Sequence, residues 1–180
     1  MAREPPDHCP RCGSALYPVD PPGRFQCPSC EEPVVHYPAP CTRLAILDGD
    51  AILLVKVDHP EAELWGTPGG MVEVNEDPAD GAARELREET TLWVDPGDLV
   101  FFDARSFPKF GRFHKTYLCY AVAAEAVEGS PRANDEIVAA RYWTEGAFTT
   151  ADARLLTSWP ADYRDLRWWI DSARSALGRD

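Results

Sequence analysis

Between residues 84 and 89 the chain reads Arg84-Glu85-Leu86-Arg87-Glu88-Glu89, and this stretch constrains its own fold more than any other. At about 100° per residue, with Glu85 set at zero, Glu88 falls near roughly −60° and Glu89 near roughly +40°, so the carboxylates share one arc of a helix. Ala79, Ala82, Ala83 and Leu86 take the adjoining arc, the apolar face that such a helix buries against a sheet. Anions crowded late in a helix repel one another and oppose the macrodipole, so the pattern calls for a cation. An exposed acidic stripe relieved by Arg84 and Arg87 is the other reading. Asp77 as N-cap and Pro78 in the first turn predict a helix from Pro78 to Thr90.

Upstream, five residues separate Gly70 from Glu76, and seven more separate Glu76 from Arg84. This spacing resembles the Nudix box of the Nudix hydrolases, a loop–helix–loop written Gly-x5-Glu-x7-Arg-Glu-U-x-Glu-Glu-x-Gly-U, with U apolar. Gly70, Glu76, Arg84, Glu85, Leu86, Glu88, Glu89 and Leu92 match, and Thr91 stands where the family has glycine. That glycine follows the helix end, where a positive φ is often wanted, so Thr91 bears on backbone geometry rather than metal ligation. The resemblance implies an α/β fold, an α/β/α sandwich around a mixed β-sheet. It also implies Mg²⁺- or Mn²⁺-dependent attack of water on a nucleoside diphosphate derivative. By position, Glu85, Glu88 and Glu89 are the expected metal ligands, with the Gly70 carbonyl a further one. Arg84 and Glu76 are expected to brace the segment by an ion pair. The general base is a box glutamate or Glu136 in the loop before the last strand, where an ordinary solvated acid is the bland alternative.

Two Cys-x-x-Cys pairs, Cys9/Cys12 and Cys27/Cys30, stand fourteen residues apart. Each turn aims two thiolates at one point, and together they complete a closed, structural S₄ shell for Zn²⁺. Disulfides, a redox dithiol and a rubredoxin-like iron site are the alternatives. Gly13 suits the first knuckle, whereas the second has Glu31. Tyr37-Pro38-Ala39-Pro40 reads as a stiff linker, so a zinc-ribbon module is expected over 1–40 and the Nudix domain over 41–180. The ribbon is similar to that of the NADH-pyrophosphatase-type branch.

From Cys41 onward, Leu44–Leu47 and Ala51–Val55 around an Asp48-Gly49-Asp50 turn read as a hairpin. A loop carrying Trp65 then leads to a short strand over Met71–Val74. Further strands are expected around Leu99–Phe102, Lys115–Ala123 and Ala139–Trp143. Trp159, Tyr163, Leu166, Ile170, Ala173 and Leu177 recur at helical spacing. That stripe packs on its own core or, in a second reading, forms a homodimer seam. Cys41 and Cys119 read as buried small hydrophobes.

The net charge of −12 disfavours a nucleic-acid or anionic-lipid surface, and no apolar run is long enough to span a membrane. With no signal-like start, the expectation is a cytoplasmic protein. Lys occurs only at 56, 109 and 115, against fifteen Arg. Such an acidic, Lys-poor surface suits a salt-rich cytoplasm and equally an acidic mesophilic enzyme. The expected partner is a small-molecule nucleotide.

Of the Ser-Gln-Pro-Trp-Pro-Phe-Pro run of NADH pyrophosphatases only Ser106-Phe107-Pro108 remains, so NADH is not supported. Pro108 lies sixteen positions past Leu92, the place of a proline in ADP-ribose pyrophosphatases, which favours ADP-ribose or a related sugar nucleotide. Trp65, Phe107, Phe110 and Phe113 are candidate rings for a base, with core or loop packing as the alternative. A nucleotide-sensing module without turnover, and removal of a cap from RNA 5′ ends, are the competing functions.

Overall fold

The structure, a computed structural model, describes residues 6–57, 64–109, 113–132 and 137–179. They divide into two compact units, one within Met1–Ala39 and Ser106–Thr116, the other within Pro40–Arg105 and Tyr117–Asp180. In the first unit, β1 (Tyr17–Val19), β2 (Arg24–Gln26) and β3 (Pro33–Val35) form an antiparallel meander, with Tyr17 opposite Gln26 and Arg24 opposite Val35.

The chain continues as β4 (Ala39–Asp48), β5 (Ala51–Lys56), β6 (Leu64–Gly66), α1 (Pro78–Thr90), β7 (Trp93–Val94), β8 (Val100–Lys109), β9 (Phe113–Ala123), β10 (Val127–Glu128), β11 (Ala139–Trp143), α2 (Glu145–Thr150), β12 (Arg154–Leu155) and α3 (Leu166–Ala176). The main sheet runs β12-β6-β5-β4-β9-β8, with β11 also on β5. It is mixed, because β12 pairs parallel with β6 while β4, β6 and β11 pair antiparallel with β5. A Gly49-Asp50 turn closes the β4–β5 hairpin, with Gly49 at φ 57°, a conformation that suits glycine.

Alternation along the strands separates two cores. Leu44 and Ile46 of β4, Leu53 of β5 and Val122 of β9 pack with Leu86 of α1, Leu92 and Val94. On the opposite face, Tyr117 of β9 stacks on Tyr163 with ring centroids 6.2 Å apart, and Cys119 Sγ lies 3.3 Å from the Tyr163 hydroxyl. Trp159 and Trp169 of α3 complete this second, aromatic core. Helices on both faces of a mixed sheet give the expected α/β/α sandwich.

Two local expectations are corrected. Met71–Val74 does not form a strand: Met71 makes one isolated bridge with Cys41, and Val74 is exposed. The aromatic stripe is buried, but its helix starts only at Leu166, with Tyr163 in a preceding 3₁₀ turn, Asp162–Arg164. The Asp165 carboxylate accepts the Arg167 N–H at 3.0 Å and so fixes that start. Cys41 and Cys119 are both fully buried. No described helix is long and apolar enough to cross a membrane.

Candidate functional site

Helix α1 begins and ends where its sequence places it, but its caps work through the backbone. Asp77 makes no side-chain cap; its carbonyl accepts the Gly81 N–H at 2.9 Å. At the other end Thr91 takes φ 64°, and its N–H donates to the Arg87 carbonyl at 3.0 Å. Thr91 therefore adopts the left-handed cap that a glycine would make, at a cost of about 1–2 kcal/mol for a β-carbon there.

Arg84 ties the preceding loop to this helix. Its Nε donates to Glu76 Oε1 at 2.8 Å and its Nη2 to Glu76 Oε2 at 3.1 Å. Nη2 also donates to the Met71 carbonyl at 2.9 Å, while Nη1 donates to Glu85 at 3.0 Å and to Glu88 at 2.9 Å. The hydrogen bond from Arg84, partly opposed by burial, holds the Glu76 carboxyl below its ordinary value. Glu85 goes the other way: burial raises its carboxyl, and Arg84 only partly offsets this.

Glu85 reaches the loop because residue 70 is glycine, where any Cβ would overlap the Glu85 carboxylate. Glu89 accepts the Gly69 N–H at 2.9 Å. The Gly70 carbonyl accepts the Thr42 N–H at 2.8 Å and keeps its second lone pair. A divalent cation suits this donor set, which is all oxygen. The oxygens of Glu85, Glu88 and Glu89 are not drawn into one cluster, however. Among the described residues only the four cysteines bring their ligand atoms within 4.8 Å of one another.

The expected stacking rings are placed differently. Trp65 is 4% exposed and packs edge-on against Trp143 at 5.0 Å, so it is a core residue with no face open to a base. Phe107 is buried as well, while Pro108 is exposed. Phe110 and Glu136 lie outside the described residues, as does the side chain of Phe113. The ring open to solvent beside α1 is instead Trp93, at 47% exposure. With Ala83, Arg84, Arg87, Glu88, Val94 and Pro96 it lines a cavity of about 490 Å³. Its position directly after the box was the available signal. Arg43 was also missed: it is a buried guanidinium that donates to the carbonyls of Thr67 and Gly69. A cation inside a strand otherwise buried from Cys41 to Leu47 was the sign to notice.

In the first unit Cys9, Cys12, Cys27 and Cys30 converge, with Cys12 Sγ 3.5 Å from Cys27 Sγ. The Cys30 N–H donates to Cys27 Sγ at 3.3 Å, as a knuckle requires. Gly13 (φ 75°) and Glu31 (φ 55°) both take the left-handed conformation, and their N–H groups donate to the Cys9 and Cys27 carbonyls at 2.9 and 3.1 Å. Hydrogen bonding with Ser14 lowers the Cys12 thiol, while hydrogen bonding with Cys12 pushes the Cys30 thiol up. Four thiols at this spacing fit Zn²⁺.

A sandwich of this topology, with a Gly70–Leu92 loop–helix–loop bringing carboxylates to one end, defines the class. The NUDIX domain matches residues 38–168, and the chain belongs to this family. It is 29% identical over 102 residues to the NAD-capped RNA hydrolase NudC of Stutzerimonas stutzeri, covering 56% of this chain and 36% of that protein. It is 36% identical over 66 residues to the putative ADP-ribose pyrophosphatase YjhB of Bacillus subtilis, covering 36% of this chain and 31% of that protein. The chain thus spans about a third of the length of these curated relatives. The crystal structure of a NUDIX hydrolase from Nitrosomonas europaea superposes with a TM-score of 0.66 at 21% identity, over 96% of this chain and 92% of that one.

Proposed function

We propose that the protein hydrolyses the diphosphate linkage of a nucleoside diphosphate derivative, with ADP-ribose or a related sugar nucleotide as the substrate class. The observation that carries this reading is the Glu85 carboxylate seated against Gly70, with Glu89 held on the neighbouring Gly69 N–H. Glu85, Glu88 and Glu89 would hold Mg²⁺ or Mn²⁺, and the Gly70 carbonyl has a lone pair to add. Bound there, the cation would neutralise the phosphates and lower the pKa of the attacking water. Arg84 fixes the directions of Glu85 and Glu88, and the Gly69 N–H fixes Glu89. Trp93 offers an open face for the base, and Arg87, on the same cavity, offers a cation to a phosphate. Glu136 and Glu89 are the two candidates for the general base. The cysteine quartet would hold structural Zn²⁺.

Hydrolysis of a nucleotide cap on RNA 5′ ends is the second reading, favoured by the match to NAD-capped RNA hydrolases. The net charge of −12 argues against an RNA-tracking surface.

The test is a hydrolysis panel with Mg²⁺ or Mn²⁺ at low and high KCl. It covers ADP-ribose, sugar nucleotides, NADH, FAD, diadenosine polyphosphates and NAD-capped RNA. Cleavage of a free sugar nucleotide, lost about 10²–10³-fold in Glu89→Gln, is expected for removal of one stabilising group. Preference for capped RNA moves the conclusion to the second reading. No turnover at either salt leaves a nucleotide-sensing module. If Glu136→Gln keeps most of the turnover while Glu89→Gln abolishes it, the base lies on α1.

A further inference from the structure

The loop Thr67-Pro68-Gly69-Gly70 runs beside β4 with its four carbonyls facing alternate ways, and three consecutive residues of β4 hold all four. The Thr42 N–H donates to the Gly70 carbonyl at 2.8 Å, and the Leu44 N–H to the Pro68 carbonyl at 2.9 Å. The carbonyls of Thr67 and Gly69 are taken by a side chain, the guanidinium of the intervening Arg43. Its Nη1 donates to Thr67 O at 3.2 Å and, more closely, to Gly69 O.

Arg43 is 9% exposed, and no ion pair to it is recorded among the described residues. Its charge is balanced by those carbonyls, by Tyr117 (Nη2 to the hydroxyl, 3.4 Å), by the faces of Tyr117 and Trp159, with centroids 4.8 and 5.5 Å away, and by the negative charge of Glu89 nearby. Its Nε is buried without a hydrogen-bond partner among the described residues. A buried cation so arranged is a poor stabiliser; an apolar side chain of similar volume would often serve the core as well or better. What an apolar side chain cannot do is donate to two alternating carbonyls at once.

The loop needs such fixing because its own residues supply little. Gly69 sits at φ 134°, and a Cβ there would overlap the Thr42 carbonyl, so the loop backbone lies directly on β4. The same Gly69 presents its N–H to Glu89, and Gly70 leaves the space that Glu85 fills. We propose that Arg43 is the positioning residue of this loop: by holding the Thr67 and Gly69 carbonyls it fixes the two peptide planes flanking the Pro68–Gly69 unit, whose own carbonyl the Leu44 N–H holds and whose Gly69 N–H meets Glu89, and it keeps Gly70 against Glu85. Its consequence for cation binding rests on the metal-dependent reading above; its consequence for the Gly69 amide does not.

The experiment compares the full chain with Arg43→Met and Arg43→Lys. Hydrogen exchange of the Gly69 amide is measured against core amides of β5, so that global stability cancels. In Arg43→Met the Gly69 amide should exchange about tenfold or more faster beyond any change in the β5 amides, with Arg43→Lys in between because one ammonium replaces a fork of donors. In parallel, Mn²⁺ is titrated onto each protein. Binding should weaken by about 10–100-fold, the usual effect of losing a residue that orients a ligand. If Gly69 exchange merely follows the β5 amides in both variants, Arg43 is only a core residue and the proposal is overturned. Should Arg43→Met fail to fold, Arg43→Lys carries the same comparison. If the unaltered protein binds no Mn²⁺, the metal-dependent reading falls, and Gly69 exchange alone decides the role of Arg43.

Discussion

Arg84 and Glu76 meet fork to fork, Nε on Oε1 at 2.8 Å and Nη2 on Oε2 at 3.1 Å, across a turn of eight residues. Glu76 also accepts the Glu73 N–H at 2.8 Å, so this one pair closes the loop onto the helix. Arg84→Met should lower stability by about 2–3 kcal/mol, because it strands carboxylates that had charge-assisted partners. Arg84→Lys should recover only part of this, since an ammonium cannot reproduce the fork. Denaturant melts of both variants give the comparison.

The same pair sets an acid limb. Hydrogen-bonded to Arg84, Glu76 titrates below its ordinary 4.5 in the folded chain. Its contribution is therefore complete above that ordinary value and is lost as pH falls through the depressed one. A plot of melting temperature against pH should fall on the acid side, and Arg84→Met should flatten that fall.

Glu85 carries the opposite sign. Its folded value is raised above 4.5, chiefly by burial, so its ionisation lowers stability as pH climbs from the ordinary value through the raised one. A cation on this carboxylate removes the penalty. Mn²⁺ should raise the melting temperature more at about pH 7 than at about pH 5, where protons compete with the cation. Glu85→Gln should abolish most of that rise.

Thr91→Gly should stabilise the chain. Relief of the left-handed strain, about 1–2 kcal/mol, exceeds the extra chain entropy of glycine, about 0.4–1 kcal/mol, leaving a gain of about 0.5–1 kcal/mol. Equilibrium unfolding would register the gain as a higher denaturant midpoint at unchanged slope.

Thiol chemistry separates the cysteines. Under a strong chelator, the exposed Cys12 and half-buried Cys30 should react with a thiol reagent in the native protein, and the buried Cys9 and Cys27 should follow as the metal-free ribbon opens. Cys41 and Cys119, fully buried, should not react until the chain is unfolded. Burial also pushes the Cys119 thiol up to about 12, far from the reactive thiolate at neutral pH. Added Zn²⁺ should protect the first four thiols and raise the melting temperature.

What could be read from the sequence is what depends on neighbours in the chain. The α1 bounds and the paired cysteine turns follow from spacings of a few residues, where helix and turn geometry dictate the outcome, while the Glu76–Arg84 pair was implied by the resemblance to the Nudix box. Trp65 shows the opposite case. Its burial depends on Trp143 on β11, brought alongside by strand pairing that no local pattern encodes. Arg43 is similar: its acceptors lie 24 and 26 residues further on. The C-terminal stripe was correctly apolar, yet periodicity alone did not reveal that Asp165 interrupts it with a cap.

The Thr42–Leu44 segment has one more consequence. A tetrapeptide ending in two glycines keeps little memory of its own shape; the shape is stored in the strand beside it, as a mould stores a casting. Changes that slide β4 by one residue would exchange backbone donors for side chains along the whole loop without altering a single loop residue. Segments 42–44 and 67–70 therefore form one inheritable unit, and a graft of this loop into another sheet should carry both halves together.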